Sequence, residues 1–311
     1  MSERENVLPG LFRVLLCLAV LLASPLFFVG GPDWVSPDIA RELWNFGHIV
    51  FFTTLTLLIH QFISLAQWHR WLLLTGLVLV VGIAIELIQG AIGRHKSWQD
   101  VFYNLTGVWV GLFWFLKPSP WVWSGRFIAL VALSPAVIKV LVAAYSYGLM
   151  HQQMPVVNNF DSSADMQQVH FNSTQVQIAQ SENYAVNGKF SLAVTLNPGR
   201  YSGLRLTIPA RNWVSYRQLK MSFFNPDPEL LIVSLRISDL QHDRGDNLYN
   251  DRFNKLLTLK QGWNEVLIPV SEIQSAPKAR EMNLAEVSSM GLFTSNLAHS
   301  RKFFWDYIYL E

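Results

Sequence analysis

Hydrophobic and polar residues follow one pattern in the first half of the chain and another in the second half. Long, nearly unbroken apolar segments cover about residues 11–29, 43–65, 71–91, 101–116 and 126–148. A helix that crosses a bilayer needs roughly 20 apolar residues, so these segments predict about five transmembrane helices. The fourth segment is short because Lys117-Pro118-Ser119-Pro120 ends it, and such an irregular backbone belongs outside the hydrocarbon.

After about Pro155 the chain changes to short segments, such as LRLTIP and VSLRIS, that are separated by turn residues. Alternation of apolar and polar residues is typical of half-buried strands. About eight such segments with no long helical pattern predict an all-β sandwich of the jelly-roll type. The fold class is therefore a membrane α-helical bundle over residues 1–150, followed by an all-β jelly-roll sandwich over residues 155–311.

The distribution of charge supports this division and excludes one class of partner. Residues 1–150 hold nine of the 24 Lys and Arg and seven of the 22 Asp and Glu, and the second half holds fifteen of each sign. A chain without a basic run or stripe is not expected to bind nucleic acid. Cys17 is the single cysteine, which excludes a disulfide framework.

Basic residues in the short loops predict the orientation in the membrane. One set of loops holds five basic residues (Arg4, Arg13, Arg70, Lys117, Arg126) and the other set holds three (Arg41, Arg94, Lys96). By the positive-inside rule, the N-terminus is cytoplasmic and the sandwich lies outside the cytoplasm, with the helices in the plasma (inner) membrane. The alternative for the first segment is a signal peptide cleaved near Ala23-Ser24-Pro25, which leaves the remaining orientation unchanged.

Polar residues at the ends of the apolar segments form a predicted cluster. Five crossings place them on the membrane face that carries the sandwich: His48, Glu86, Gln89, Arg94, Asp100 and Asn104. Ionisable groups in a bilayer are usually paired, hydrated or functional, and we expect Lys139 to pair with Glu86. The alternatives are that Lys139 snorkels and that Glu86 pairs with Arg94 only to fix helix packing.

The same residues carry a resemblance to a known family. Glu86-x-x-Gln89 followed by Arg94, Asp100, Asn104, Gly107 and Gly111, with His48 upstream, resembles the signature of the VanZ-like membrane proteins. The Gly107-x-x-x-Gly111 spacing also predicts close approach of a neighbouring helix. Two features differ: the spacing from Gln89 to Arg94 is one residue short, and Trp44-Asn45 stands where the family has Asp-Lys. The family is associated with glycopeptide resistance, but over residues 40–116 the resemblance implies only a cell-envelope role.

The second half resembles carbohydrate-binding jelly rolls of the galactose-binding-like type. The motifs that carry this resemblance are Asn159-Phe160-Asp161, Gly188-x-x-Ser191-Leu192, Asn212-Trp213-x-x-Tyr216, Gly262-Trp263-Asn264 and Trp305-Asp306-Tyr307-Ile308. In such folds the first and last strands are neighbours, so Asp161 and Asp306 are predicted to supply oxygen ligands to a structural Ca²⁺. The alternative is two ordinary strand-end aspartates. No other cofactor is expected.

The stretch from Asp239 to Phe253 combines hydrogen-bonding and aromatic side chains, as a sugar site requires. Its candidate ligand-binding residues are Asp239, His242, Asp243, Tyr249 and Arg252. A solvated loop is the alternative. Trp213 and Tyr216 are candidates for stacking on a sugar, with a core position as the alternative for Trp213.

Three functions fit these observations. The first is an envelope protein whose extracytoplasmic sandwich binds a glycan or a cell-wall component beside the lipid-embedded helices. The second is a membrane-surface enzyme or lipid-head-group handler in which Arg94 holds a phosphate and Glu86 or Asp100 acts as a base. The third is a structural anchor or assembly partner. The sequence contains no nucleophile triad order, metal-ligand spacing or phosphate loop, so we favour the first and do not expect an enzyme.

Overall fold

The computed structural model of the protein describes residues 10–27, 31–91 and 97–311. The chain separates into two compact units, Met1–Tyr145 and Ser146–Glu311. The first unit is helical and the second is built mainly from strands.

Each predicted apolar segment contains a helix. The long helices are α1 (Gly10–Ala23), α2 (Asp38–Phe62), α3 (Trp68–Ala91), α4 (Trp98–Phe115) and α5 (Pro120–Gln153). Three helical segments are long and apolar enough to cross a membrane: Asp38–Phe62, Trp68–Gln89 and Pro120–Gln153. Gly10–Leu26 is apolar but shorter, and the first turn of α4 contains the polar residues Gln99 and Asp100. Crossing of a membrane stays a prediction for all five segments.

Helix α4 is packed closely against α2 because two glycines face that helix. A Cβ atom at Gly107 would stand 2.5 Å from the Ile49 carbonyl oxygen, and one at Gly111 would stand 2.8 Å from Thr56 Cβ. The Thr53 hydroxyl donates a hydrogen bond of 3.0 Å to the Gly107 carbonyl. The close helix approach predicted from the glycine spacing is therefore present, and α2 is the partner.

Side chains satisfy the ends of α4. Ser97 caps its N-terminus by accepting a hydrogen bond from the Asp100 N–H at 3.2 Å. At the other end, Arg126 of α5 donates to the carbonyls of Phe113 at 2.8 Å and Leu116 at 3.2 Å. Helix ends carry unpaired backbone groups that need such partners, so both ends of α4 are fixed within the helical unit.

The second unit is a sandwich of two antiparallel sheets. Sheet A has the order β3-β4-β11-β6-β9, with β1 also paired to β11, and sheet B has the order β2-β5-β10-β7-β8. The strands are β1 (Val156–Asn158), β2 (Val169–Phe171), β3 (Val176–Ser181), β4 (Ser191–Leu196), β5 (Gly199–Thr207), β6 (Gln218–Asn225), β7 (Leu231–Asp239), β8 (Phe253–Leu259), β9 (Gly262–Pro269), β10 (Val287–Leu297) and β11 (Arg301–Leu310).

Three short helices connect these strands: α6 (Ser163–Gln167), α7 (Leu240–Arg244) and α8 (Val270–Gln274). Turns of 3-10 helix cover Ser24–Phe27 in the first unit and Tyr249–Asp251 and Leu284–Glu286 in the second. The predicted all-β sandwich is confirmed, but the sequence pattern missed β1, β2 and β8. The first two have only three residues each, too few to show alternation.

The sandwich has its own core between the two sheets. Its largest fully buried side chains are Trp213, Trp305, Phe160, Phe223 and Phe303. Leu204 and Leu206 of β5 and Met290 and Leu292 of β10 are also buried there. All fully buried members of this core lie between residues 160 and 310, so the sandwich can fold as an independent domain.

Candidate functional site

A groove of about 440 Å³ lies on sheet B. Strands β2, β5, β7 and β10 contribute to it, together with single residues just before β3 and β8. Its lining residues are His170, Gln175, Tyr201, Ser202, Gly203, Leu204, Arg205, Arg236, Arg252 and Phe293.

Strand register brings Arg205 and Arg236 to opposite sides of one glycine. Gly291 of β10 pairs with Arg205 of β5 on one side and with Arg236 of β7 on the other. Alternate residues of a strand face opposite sides of a sheet, and Leu204, Leu206, Leu235 and Ile237 point into the core. The two arginines therefore belong to the outer face, separated by a residue without a side chain.

The glycine leaves room for the Arg236 side chain. A Cβ atom at Gly291 would stand 2.6 Å from Arg236 Nε and 2.9 Å from its Cγ. The arginine therefore lies directly over the backbone of β10, with its guanidinium in the groove.

The groove is a concentration of positive charge. Burial lowers the pKa of Arg236, Arg205 and Arg252 from the ordinary value, and the Arg236 charge lowers the pKa of Arg205 and of Arg252 further. The Asp243 carboxylate acts in the opposite direction on all three groups. That carboxylate accepts hydrogen bonds from the hydroxyls of Ser288 at 2.6 Å and Ser289 at 2.8 Å. Two serine hydroxyls thus hold the carboxylate that acts on these three guanidinium groups.

The segment between β7 and β8 borders the groove and is held by a buried ion-pair network. Asp239 is fully buried, caps α7 by accepting the His242 N–H at 2.9 Å, and pairs with Arg280 at 2.5 Å. Arg280 also donates to Asp251 at 2.6 Å. Burial by itself raises the pKa of Asp239, but hydrogen bonds from Arg280, Asn283 and His242 outweigh it and hold that pKa below its ordinary value.

This network extends to Arg252 through one amide. The buried His242 ring has Nδ1 3.3 Å from Asp251 Oδ2 and Nε2 2.9 Å from Asn247 Oδ1. The same Asn247 oxygen accepts a hydrogen bond from Arg252 Nη1 at 3.0 Å, and Arg252 Nε donates to Asn254 at 3.0 Å. The Arg252 guanidinium is therefore fixed at the groove by groups that do not line it.

The structure separates the predicted sugar-contact residues. Arg252 lines the groove, and Tyr249 is 65% exposed, with its ring centroid 5.7 Å from the Arg252 guanidinium carbon. By contrast, Asp239, His242 and Asp243 are committed to internal hydrogen bonds. They support the groove and do not face it.

The two candidate stacking residues are placed in the core. Trp213 is fully buried, and Tyr216 packs half-buried against the same core. Trp213 presents no ring face to a ligand, so the stacking interpretation is wrong for this residue and the alternative core position is the one observed. An indole gains most by burying its whole apolar surface.

Sequence reasoning missed most of the groove. Arg205 and Arg236 are the polar members of the alternating segments LRLTIP and VSLRIS, so the alternation does predict that both face outward. It does not predict that β10 lies between β5 and β7, or that Gly291 separates the two arginines.

Asp161 and Asp306 both bind the loop over residues 186–190. Asp161 accepts the N–H groups of Lys189 and Phe190, both at 2.7 Å. Asp306 accepts those of Val186 at 2.5 Å and Asn187 at 3.1 Å. Strand β1 pairs with β11, so the first and last strands are neighbours as expected.

These residues do not by themselves fit a calcium site. Burial raises the pKa of Asp306, backbone N–H groups lower it, and the Asp161 charge raises it further. Only Asp306 Oδ1 is a buried oxygen without a hydrogen-bond partner in this pair. Ca²⁺ takes about six to eight oxygen ligands, and within the described ranges no group of three or more His, Cys, Asp or Glu could hold a metal ion. Structural calcium stays a prediction.

A second cavity, of about 270 Å³, lies inside the helical unit. Five members of the predicted polar cluster line it: His48, Glu86, Gln89, Asp100 and Asn104. The sixth, Arg94, lies outside the described residues. The other described lining residues are mainly apolar and come from the first turn of 3-10 helix and from α1, α2 and α3: Ala23, Leu26, Leu43, Trp44, Gly47, Phe51, Gly82 and Ile85.

Hydrogen bonds fix two of the polar groups in this cavity. His48 Nδ1 lies 2.9 Å from Asn104 Oδ1, which joins α2 to α4. Glu86 is only 5% exposed, and its carboxylate accepts the Ser97 N–H at 2.6 Å. Unpaired N–H groups and a partial positive charge at a helix N-terminus favour such a carboxylate.

The predicted Glu86–Lys139 pair is wrong. Lys139 donates to the Gln99 side chain at 3.1 Å, and Gln99 donates in turn to the Tyr103 hydroxyl at 3.0 Å. The start of α4 supplies the partners of both charged groups, because Ser97 binds Glu86 and Gln99 binds Lys139.

Comparison with known proteins gives no family for this chain. No family model matches it, and no curated protein matches its sequence. The VanZ-like resemblance therefore stays a prediction.

Several solved structures are similar to half of the chain. A family 11 carbohydrate-binding module from Clostridium thermocellum, in complex with a β-1,3-1,4-mixed-linked tetrasaccharide, is 13% identical with a TM-score of 0.39, covering 50% of this chain and 93% of that one. An exo-β-agarase is 12% identical with a TM-score of 0.39, covering 50% and 24%. The CBM22-1 xylan-binding domain from Paenibacillus barcinonensis Xyn10C is 14% identical with a TM-score of 0.33, covering 50% and 90%. With TM-scores below 0.5, these similarities carry no argument about the ligand.

Proposed function

We propose that this chain is a cell-envelope membrane protein whose sandwich binds a glycan in the groove on sheet B. The observation that carries the proposal is the lining of that groove, which combines the rings of Tyr201 and Phe293 with the donors of His170 and three arginines. Sugars present hydroxyls and apolar ring faces, and binding sites of this kind join aromatic surface to a few fixed polar groups.

The strands beneath the groove make it suitable for recognition. Its arginines and aromatic residues belong mostly to β5, β7 and β10 in the middle of sheet B. Side chains on strands keep their positions better than those on loops. Less ordering is then required when a ligand binds, which favours affinity.

The proposal also includes the location of the protein. In this account the helices lie in the plasma (inner) membrane as a VanZ-like bundle, the N-terminus is cytoplasmic, and the sandwich is held outside the cytoplasm next to envelope glycans. The three helices that are long and apolar enough to span a bilayer support this arrangement. A reporter fused to the C-terminus tests it, because activity of the reporter in the cytoplasm contradicts it.

Glycan binding is tested with the full-length protein in detergent micelles. Mixed-linked β-glucan and xylan oligosaccharides serve as first ligands, together with acidic glycans. We expect Tyr201→Ala to weaken binding about two- to tenfold, since an aromatic contact contributes about 0.5–1.5 kcal/mol. Tyr201 is 55% exposed and Trp263 of sheet A is 52% exposed, so Trp263→Ala is a matched control. Loss of binding in Trp263→Ala alone contradicts the choice of sheet B.

The helical cavity supports a second candidate function, that of a lipid-head-group handler. An imidazole and two carboxylates, those of His48, Glu86 and Asp100, line one cavity. Glu86→Gln and Asp100→Asn test this candidate in cells. If both variants keep the normal protein level and envelope phenotype, the cavity is structural and the helices act as an anchor.

A further inference from the structure

We infer that the groove on sheet B selects an anionic glycan, with Arg205 and Arg236 on the two sides of Gly291 as its anion-binding pair. The ligand class is a sugar chain that carries carboxylate, sulfate or phosphate groups. This inference rests on the proposed glycan-binding function and narrows its ligand.

The side chains that line the groove are positively charged. Three of the ten lining residues are arginines, and within residues 97–311 the groove lining contains no Asp or Glu. Asp243 lies close enough to influence all three guanidinium groups, but its carboxylate is engaged by Ser288 and Ser289. A ligand in the groove therefore faces three guanidinium groups and, within residues 97–311, no lining carboxylate.

Arg236 differs from the structural arginines of the same unit. Arg280 is paired with Asp239 and Asp251, and Arg301 is paired with Asp227 and Glu229. In residues 97–311, by contrast, no carboxylate oxygen forms a salt bridge with Arg236, although this side chain is half-buried. Guanidinium groups bind carboxylate and phosphate oxygens through two parallel hydrogen bonds, and an anionic ligand would supply that partner.

The aromatic rings of the groove favour a charged sugar over a small free anion as its ligand. Tyr201 and Phe293 border the same groove as the arginines. The exposed ring of Tyr201 also has a guanidinium group beside it, because the guanidinium carbon of Arg200 lies 5.6 Å from the ring centroid. A bound sulfate or phosphate ion would leave these ring faces unused, whereas a sugar ring with an acidic substituent matches both surfaces.

Neighbouring residues position Arg236 and Arg252 at the groove. Gly291 leaves space for Arg236, and Asn247, itself bound to the buried His242, orients Arg252. Keeping like charges close together without a ligand costs free energy. The hydrogen bonds from His242 through Asn247 hold Arg252 at the groove against this repulsion. Such an arrangement is expected of an anion-binding site.

The test uses the full-length protein in nanodiscs of phosphatidylcholine, which has no net charge. Fluorescently labelled oligogalacturonate is compared with its carboxyl-reduced, neutral counterpart of the same length and linkage. Chondroitin sulfate and unsulfated, carboxyl-reduced chondroitin form a second pair, and a 6-phosphorylated mannan oligosaccharide and its dephosphorylated form a third. We expect at least one acidic member to bind tenfold or more tightly than its neutral counterpart, with affinity that falls as salt rises.

Variants connect this preference to the groove. Arg236→Gln is expected to remove the acidic preference, and Arg236→Lys to retain part of it. Arg217→Gln removes the same charge at an exposed position that does not line the groove, and it is expected to leave the preference intact. Melting temperatures of all variants identify any that fail to fold, and Arg252→Gln provides a second groove variant.

Separate outcomes overturn the inference and the proposed function. Equal binding of acidic and neutral partners, unchanged in Arg236→Gln, overturns the inference and leaves glycan binding intact. Absence of binding to every acidic and neutral glycan overturns both. If millimolar inorganic phosphate or sulfate displaces the labelled oligosaccharides and binds as tightly as they do, the groove is a simple anion site. This result also overturns the inference.

Discussion

Arg236 and Gly291 form a directly opposed pair on β7 and β10, and the arginine side chain occupies the space where any other residue would place its Cβ. The separation of that Cβ position from Arg236 Nε is only 2.6 Å. Because Gly291 has no side chain, the Arg236 guanidinium can lie over the backbone of β10.

The first prediction follows from this pair. Gly291→Ala is expected to displace the Arg236 guanidinium and to weaken the binding of acidic glycans, although it alters no charge. The flexible arginine can move aside, so the cost in stability should be small. Titration with labelled oligogalacturonate, together with thermal melting, measures both effects.

Gly203 provides the contrasting variant on the same sheet. A Cβ atom there would stand 2.4 Å from Phe293 Cβ and 2.5 Å from the Leu292 carbonyl oxygen, and neither atom can move without the backbone. We expect Gly203→Ala to destabilise the sandwich by about 1–3 kcal/mol. If Gly291→Ala is the more destabilising of the two, Arg236 is rigidly packed and this view of the pair is incorrect.

The second prediction concerns the buried network behind the groove. Asp239→Ala leaves Arg280 without its fully buried partner, and breaking a buried pair costs about 3–5 kcal/mol. Urea unfolding of a fragment over residues 154–311 measures this loss. Lys255→Gln, which breaks the exposed pair with Glu272, should cost less than about 1 kcal/mol. Similar losses in both variants would show that the Asp239 network has no special structural role.

The third prediction is a pH dependence with two opposite contributions. The pKa values of Asp239 and Asp251 are lowered by folding, so their contribution to stability is present above the ordinary pKa of 3.8 and is lost as pH falls through the lowered values. The pKa of Asp306 is raised. Its folded form keeps a proton to higher pH, so stability falls as pH rises from the ordinary value through the raised one.

Asp306→Asn isolates the second contribution. The amide cannot ionise, so the variant should gain stability relative to the unaltered fragment as pH rises from about 3 to 7. Urea unfolding across this range gives the difference, and repeating it with Ca²⁺ or a chelator tests the calcium prediction. A difference that does not change with pH contradicts the raised pKa of Asp306.

The fourth prediction concerns the helical unit. Gly107→Ala places a methyl group 2.5 Å from the Ile49 carbonyl oxygen, which forces α2 and α4 apart and should cost about 1–3 kcal/mol. Gly76 of α3 has no atom within 4 Å of the corresponding position, so Gly76→Ala should be neutral or stabilising, because alanine favours helix more than glycine does. Thermal unfolding in detergent compares the two, and equal effects would contradict close α2–α4 packing as a source of stability.

The sequence predicts some parts of this structure well for identifiable reasons. Long apolar runs predict helices because apolar residues continue over many consecutive positions. Gly107 and Gly111 predict a close helix contact because residues four apart lie on one face of a helix. His48, Glu86, Gln89, Asp100 and Asn104 were grouped by counting crossings, and they line one cavity. The partners of Glu86 and Lys139 could not be predicted, because both charged groups bind the start of α4. Glu86 accepts the backbone N–H of Ser97, and Lys139 donates to the neutral side chain of Gln99.

The groove could not be predicted in the same way. Its two central arginines are 31 positions apart in sequence, and they become neighbours only through β10, which follows both of them in the chain. Strand β8 was missed because its start falls within the stretch interpreted as a binding loop. The polar residues of that stretch predict ligand contacts, but Asp239 and His242 are buried and hold the segment beside the groove.

The most direct test of the account is to map a bound glycan on the sandwich by NMR. Amide and side-chain shifts of the 154–311 fragment are followed as oligogalacturonate, chondroitin sulfate and their neutral counterparts are added. If a glycan binds in the groove, the largest shift changes are expected on the outer face of sheet B, at His170, Arg205, Arg236 and Phe293. Changes that cluster instead around Tyr184 and Trp263 on sheet A, or the absence of any change with acidic and neutral glycans alike, would contradict it.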